Sequence, residues 1–186
     1  TKIGEASIRQ KAYDIAAQLN LTLQSHPYMT LGDLRRDAKF RSVAVQGIGD
    51  RGYTGLHETD TGVIRFHRDH KVENTGTRAF EKTLPAYWRI IDAGRGGKPS
   101  GGYFNWIEPD GTTSQKYMYV VPLSQRTADG KRLSVFVTTY LDEFTKPLRE
   151  AQAVQQKTAR NLLGTTSGLL GSFRDNGLLF MGMGIL

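Results

Sequence analysis

The sequence contains no cysteine. Disulfide frameworks, thiolate zinc sites, thioether-attached haem and cysteine nucleophiles are therefore excluded together. The redox compartment stays open, because a cysteine-free chain suits cytosol and periplasm alike. Histidine is scarce, at 4 residues, and too scattered to mark a catalytic triad. Neither a G-x-S-x-G elbow nor an H-E-x-x-H zinc motif occurs. No internal repeat is found, and the one apolar run of note, Gly177 to Leu186, is half the length of about 20 residues that a membrane-crossing helix needs.

What is present suits a folded chain. At 186 residues the length fits one domain, or one domain carrying an extra helical segment. With 38% hydrophobic and 23% charged residues, 8 Tyr and 8 Phe, the chain is able to bury a sizeable core without disulfides or a structural metal. The net charge of +7 favours acidic partners, whether small anions, nucleic acid or an anionic membrane surface. The basic residues are spread along the chain with no zinc-finger, KH or RNP pattern, so nucleic acid is not the expected partner. The chain opens on Thr1 with no signal peptide, and the expectation is an excerpt from a longer protein.

Periodicity sets the elements. Ile8, Ala12, Ile15, Leu19 and Leu23 lay one apolar stripe along a helix from Thr1 to about Leu23, which His26-Pro27 ends. A second helix is predicted from Leu31 to Gln46 with Thr30 as its N-cap, broken by Ile48 to Gly52. Tyr53 to Glu58 and Val63 to His67 read as a hairpin around a turn containing Gly62. Arg68 to Lys82 is polar and irregular, Leu84 to Ala93 is a short helix with Pro85 in its first turn, and Gly94 to Gly102 is a glycine-rich loop. Strands Tyr103 to Glu108, Lys116 to Pro122 and Arg132 to Leu141 then come in succession with turn signals between them, giving an antiparallel meander and the class α+β. Lys146 to Gln156 is helix-compatible with Thr145 as cap. Asn161 to Leu186 has only Arg174 and Asp175 as charges; it is either a buried C-terminal segment of the fold or the beginning of a transmembrane helix.

Some residues could carry chemistry. A pocket for a small organic anion needs an apolar wall, a cation and orienting hydroxyl or indole groups. Trp88 and Arg89 on the short helix, Tyr103 and Trp106 on the next strand, and Lys116, Tyr117 and Tyr119 on the one after supply these types; the bland alternative is aromatic core with surface cations. In a regular strand Lys116 points opposite to Tyr117 and Tyr119, so these cannot all line one pocket unless a bulge intervenes. His67-Arg68-Asp69-His70 lacks a marked third ligand and is not read as a metal site. His67 either ends a strand at a pocket mouth or is a satisfied structural histidine. Gly94 to Gly102 misses the phosphate-loop spacing at Pro99 and reads as a flexible lid or edge. No catalytic constellation and no cofactor is expected.

The order of elements, together with Gly52-Tyr53-Thr54, Gly62 to His67, Gly102-Tyr-Phe-Asn-Trp106, Pro109-Asp-Gly111, Lys116-Tyr-Met-Tyr119 and Tyr140 to Phe144, resembles a Cache domain. The likeness is to the single-Cache type, found as the extracytoplasmic sensor of bacterial histidine kinases, chemotaxis receptors and cyclic-dinucleotide enzymes. It covers residues 1–147, with 148–186 as a C-terminal helical and apolar segment. The resemblance implies a PAS-like fold with a long N-terminal helix, an antiparallel sheet of about five strands, and a small-molecule pocket between one sheet face and the connection from the hairpin to the meander. It also implies a periplasmic or extracellular location between flanking transmembrane helices, with a possible homodimer through the first helix. The family pattern ranks Lys116, as charge partner for a short carboxylate, and Trp106 above Tyr119, with Tyr103 as a wall and Trp88, Arg89 and His67 on the covering side. The rival reading is a PAS-like dimerisation or interaction module with a filled core and no ligand.

Overall fold

Helix α1 (Lys2–Ser25) buries Ile8, Ala12, Ile15, Leu19 and Leu23, the stripe that its spacing lays on one face. The computed structural model describes residues 2–144, 146, 150–158, 160 and 161. The chain divides into two compact units, Thr1–Phe144 and Thr145–Leu186.

The single helix predicted from Leu31 to Gln46 is two: α2 (Leu31–Arg36) and α3 (Ala38–Ala44). Asp37 separates them in extended backbone, and its carboxylate accepts the Lys39 and Phe40 N–H groups as the N-cap of α3. An Asp side chain at this position competes with the helical ladder for its own backbone. Thr30 caps α2 as expected, in a reciprocal box with Asp33.

Strand β1 (Gly47–Ile48) leads through a tight turn into β2 (Gly52–Glu58). β3 (Ile64–Phe66) is shorter than predicted and returns from Gly62, whose φ of 70° is the left-handed conformation that glycine adopts without strain. The stretch read as irregular contains 3₁₀ turns at His70–Val72 and Thr77–Phe80, followed by α4 (Pro85–Gly94) with Pro85 in its first turn. β4 (Ser100–Ile107) starts inside the glycine-rich stretch, and β5 (Thr113–Arg126) and β6 (Arg132–Tyr140) complete the meander. At Gly101 a Cβ would run into the ring of Tyr119, which crosses it from β5, so glycine is what lets the strand form there.

The strands form one antiparallel sheet in the order β1-β2-β6-β5-β4, with β3 on the same edge of β2 as β1. Alternation divides its side chains between two cores. On one face α1, α2 and α3 cover Leu56, Tyr117, Val121, Leu123, Leu133, Val135 and Val137. On the other, α4 packs with Phe104, Met118, Val120 and Phe136. This is the PAS-like α+β arrangement, a long helix on one face and the β3–β4 connection over the other. The buried stripe of α1 is taken up by its own sheet.

Of the helix predicted over Lys146 to Gln156, residues 146 and 150–156 are helical, and the helix continues through 157 and 158. Thr145, Leu148 and the apolar run Gly177 to Leu186 lie outside the described residues. Among the described residues no helix is long and apolar enough to cross a membrane.

Candidate functional site

A cavity of about 310 Å³ lies between the sheet and the β3–β4 connection. Alternate residues of the strands form its floor: Tyr53 of β2, Phe104 and Trp106 of β4, Lys116 and Met118 of β5, and Phe136 and Thr138 of β6. Ile64, His67, Val72, Phe80 and Tyr87 come down on it from β3 and the connection. The rings of Phe80, Tyr87, Phe104 and Trp106 form one aromatic cluster, with neighbouring centroids 5.3 to 6.4 Å apart. Glycine at position 55 leaves space for the Phe136 ring, since a Cβ there would collide with that ring and with the Phe66 carbonyl.

Lys116 is the one Lys or Arg in this wall. It is 4% exposed, and among the described residues its ammonium makes no hydrogen bond and no ion pair. Instead it stands 4.3 Å from the ring centroid of Tyr140, 4.8 Å from Trp106 and 5.8 Å from Tyr53. Such contacts offset part of the cost of removing an ammonium from water but leave its N–H groups without acceptors. Burial pushes its pKa down to about 8; Glu108 nearby opposes this, and Arg68 and Arg51 add to it. The Glu108 carboxylate accepts from the Tyr140 hydroxyl at 3.4 Å, and its other oxygen is buried without a hydrogen-bond partner among the described residues.

His67 is 8% exposed and packs edge-on against Tyr53, with ring centroids 4.9 Å apart. Its Nδ1 is engaged by the Asp69 backbone, and burial lowers its pKa, which keeps the ring neutral at pH 7. Tyr53 and His67 also border a second, open groove of about 470 Å³ beside α3. Both of the groove's arginines are engaged, Arg41 with Glu73 at 2.6 Å and the His67 carbonyl at 2.8 Å, and Arg68 with the Arg51 carbonyl at 2.9 Å and the Tyr53 ring, so the larger space offers the less available cations. Deeper on the cavity face, His57 is stacked on Phe136 with both ring nitrogens unpartnered among the described residues. Burial pushes its pKa down to about 4.

The structure brings Lys116, Trp106 and His67 together on the cavity and places the other sequence candidates elsewhere. Trp88 is buried in the core beneath α4 and is not part of the lining, while Arg89 points from α4 into solvent. Tyr103 and Tyr119 lie on the α1 face. The Tyr103 hydroxyl donates to Glu5 at 2.7 Å, and Tyr119 packs on Tyr13 beneath the guanidinium of Arg9. The strand alternation that separates Lys116 from Tyr119 separates Trp106 from Tyr103 in the same way. Tyr53, Phe80, Tyr87, Phe104 and Phe136 are lining residues that sequence reasoning does not single out. For Phe104 the signal is present, because it shares parity with Trp106.

No family model and no curated protein matches the sequence. Among solved structures the chain is similar to the PAS domain of an HTR-like protein from Haloarcula marismortui, at 8% identity and a TM-score of 0.39, over 56% of this chain and 90% of that one. A likeness this slight says nothing about what the cavity holds, which is decided by the residues that line it.

Proposed function

We propose that the chain is a ligand-sensing domain without catalytic activity, and that its cavity binds a small carboxylate through Lys116. The observation that carries this reading is the ammonium of Lys116, a residue only 4% exposed, with neither ion pair nor hydrogen bond among the described residues, lining a cavity that is otherwise mostly apolar. A carboxylate bound there would supply the acceptors the ammonium lacks, in surroundings where a charge-assisted hydrogen bond is strong. The rival interaction module expects apolar side chains to fill the space beside Lys116, and a cavity of about 310 Å³ in that place favours sensing instead.

The sheet offers a route for the signal. Lys116, Met118, Phe136 and Thr138 face the cavity, while Tyr117, Val135 and Val137 of the same strands face α1. A ligand that favours one setting of β5 and β6 thereby favours one setting of α1, to the extent that its affinity differs between the two. By the Cache resemblance, the domain belongs to a membrane-bound receptor such as a histidine kinase or chemotaxis receptor. It would sit outside the cytoplasmic membrane between transmembrane helices and relay occupancy to a cytoplasmic output module.

A thermal-shift screen of the purified chain against carboxylates, amines and amino acids tests the reading. A ligand at about 100 times its Kd adds about 2.7 kcal/mol, a rise of very roughly 5 to 10 °C. The expected result is a shift selective for carboxylates and absent in Lys116→Met. Carboxylate shifts that survive in the variant would remove Lys116 from the site.

A further inference from the structure

The cavity wall also specifies which carboxylate. From its size and lining we infer that the preferred ligand is a monocarboxylate with an aromatic or branched apolar body, rather than an acid of two to four carbons, a dicarboxylate or an amino acid. The inference rests on the proposed carboxylate site and adds the class of molecule that fills it.

Size is the first argument. The cavity of about 310 Å³ has the volume of about ten water molecules, and a two- to four-carbon acid would occupy less than about half of it. Lining is the second. Most of the surface that meets such a ligand comes from the rings of Phe80, Tyr87, Phe104, Trp106 and Phe136, the Met118 thioether and the aliphatic Ile64 and Val72, which reward an apolar body and particularly a flat one. Charge is the third. Lys116 is the only Lys or Arg in the lining, and His67 is held neutral. A second carboxylate would therefore be buried without a cationic partner, at a large desolvation cost that neutral hydroxyl donors offset only in part. The α-ammonium of an amino acid would meet no carboxylate in the wall, because Glu108 stands outside the lining, on the Tyr140 side of Lys116. The hydroxyls of Tyr53 and Tyr87, also in the lining, are able to donate to a carboxylate without adding charge.

Isothermal titration of the whole chain, shown by native mass spectrometry to carry no co-purified molecule, provides the test. The probes are phenylacetate, acetate, succinate, phenylalanine and the uncharged 2-phenylethanol. Phenylacetate is expected to bind roughly 100-fold more tightly than acetate, the gain from burying its ring. Succinate and phenylalanine should bind at least about tenfold more weakly than phenylacetate. In Lys116→Met, phenylacetate should lose at least about tenfold while 2-phenylethanol is retained, which also shows that the variant's cavity is folded. Acetate, succinate or phenylalanine binding as tightly as phenylacetate, and lost in Lys116→Met, would overturn the ligand class and leave the carboxylate site standing. Binding of none of the anions would overturn both.

Discussion

The two faces of this sheet are built from the same strands and do different things. The α1 face is closed: Ile15, Leu19, Leu56, Leu133, Val135 and Val137 are each no more than 1% exposed and pack into one continuous core. The opposite face carries larger and more polar groups, and there Lys116, His67, Tyr53 and the aromatic cluster surround a cavity instead of filling it. A face whose centre is mostly aliphatic, closed by α1 together with α2 and α3, is optimised for packing. A face of rings and one unpaired ammonium beneath 3₁₀ turns and a short helix gives up stability for a place where something else can bind.

Truncation should separate the faces most strongly. Leu19→Ala is expected to cost about 3 to 5 kcal/mol in urea unfolding, since no neighbour on that face has room to relax, whereas Met118→Ala, which already borders the cavity, should cost about 2 kcal/mol. Equal costs would mean that the cavity closes up in solution.

The second difference lies in acid. His57, with its pKa pushed down to about 4 from the ordinary 6.5, is neutral in both folded and unfolded chains above that ordinary value. As pH falls from 6.5 to about 4 the unfolded chain takes up the proton first, so the unfolding free energy should drop by about 3 kcal/mol. His57→Leu should remove that component from the pH dependence of the urea midpoint.

Lys116 supplies a third, of opposite use. Its pKa of about 8 against the ordinary 10.5 means that at pH 7 the folded state holds a charge that the unfolded state holds more easily. Lys116→Met should therefore raise the stability of the ligand-free chain by about 1 to 2 kcal/mol at pH 7, after allowance for screening by water in the cavity, and the gain should fade as pH rises through 8 to 10.5. A stabilising substitution that abolishes binding is the signature of a group kept for function rather than for folding.

The smallest expected effect is at Tyr103 and Tyr119. Because both lie on the α1 face, Tyr103→Phe and Tyr119→Phe should change stability by no more than about 0.5 kcal/mol and leave carboxylate affinity unaltered in titration.

Much of this is legible in the chain, and the failures have physical causes. The stripe of α1, the Thr30 cap, the Gly62 turn and the meander come from local periodicity and turn chemistry, which act over a few residues and leave their mark in sequence. The break at Asp37 is hidden because Asp is tolerated within a helix as well as at its start, and only the N–H groups of Lys39 and Phe40 decide which role it takes. Lys116 and Trp106 are singled out by the family pattern, and the pairing of β4 with β5 places them on one face. Tyr103 joins them by residue type alone, although its parity assigns it to the other side. Tyr53, Phe80 and Tyr87 reach the cavity from distant stretches of chain, and their meeting depends on where the β3–β4 connection folds back, which no local pattern encodes.

Methionine methyl resonances compare the two faces within one sample. Met118 lines the cavity, and Met29 packs against the α1 core. In a chain labelled at the methionine methyl carbons, titration with phenylacetate is predicted to shift the Met118 signal progressively and much further than that of Met29, which senses binding only through the sheet. The shift should be absent in Lys116→Met. A titration that moves Met29 while Met118 stays fixed, or moves neither, would contradict the assignment of the cavity face as the binding face.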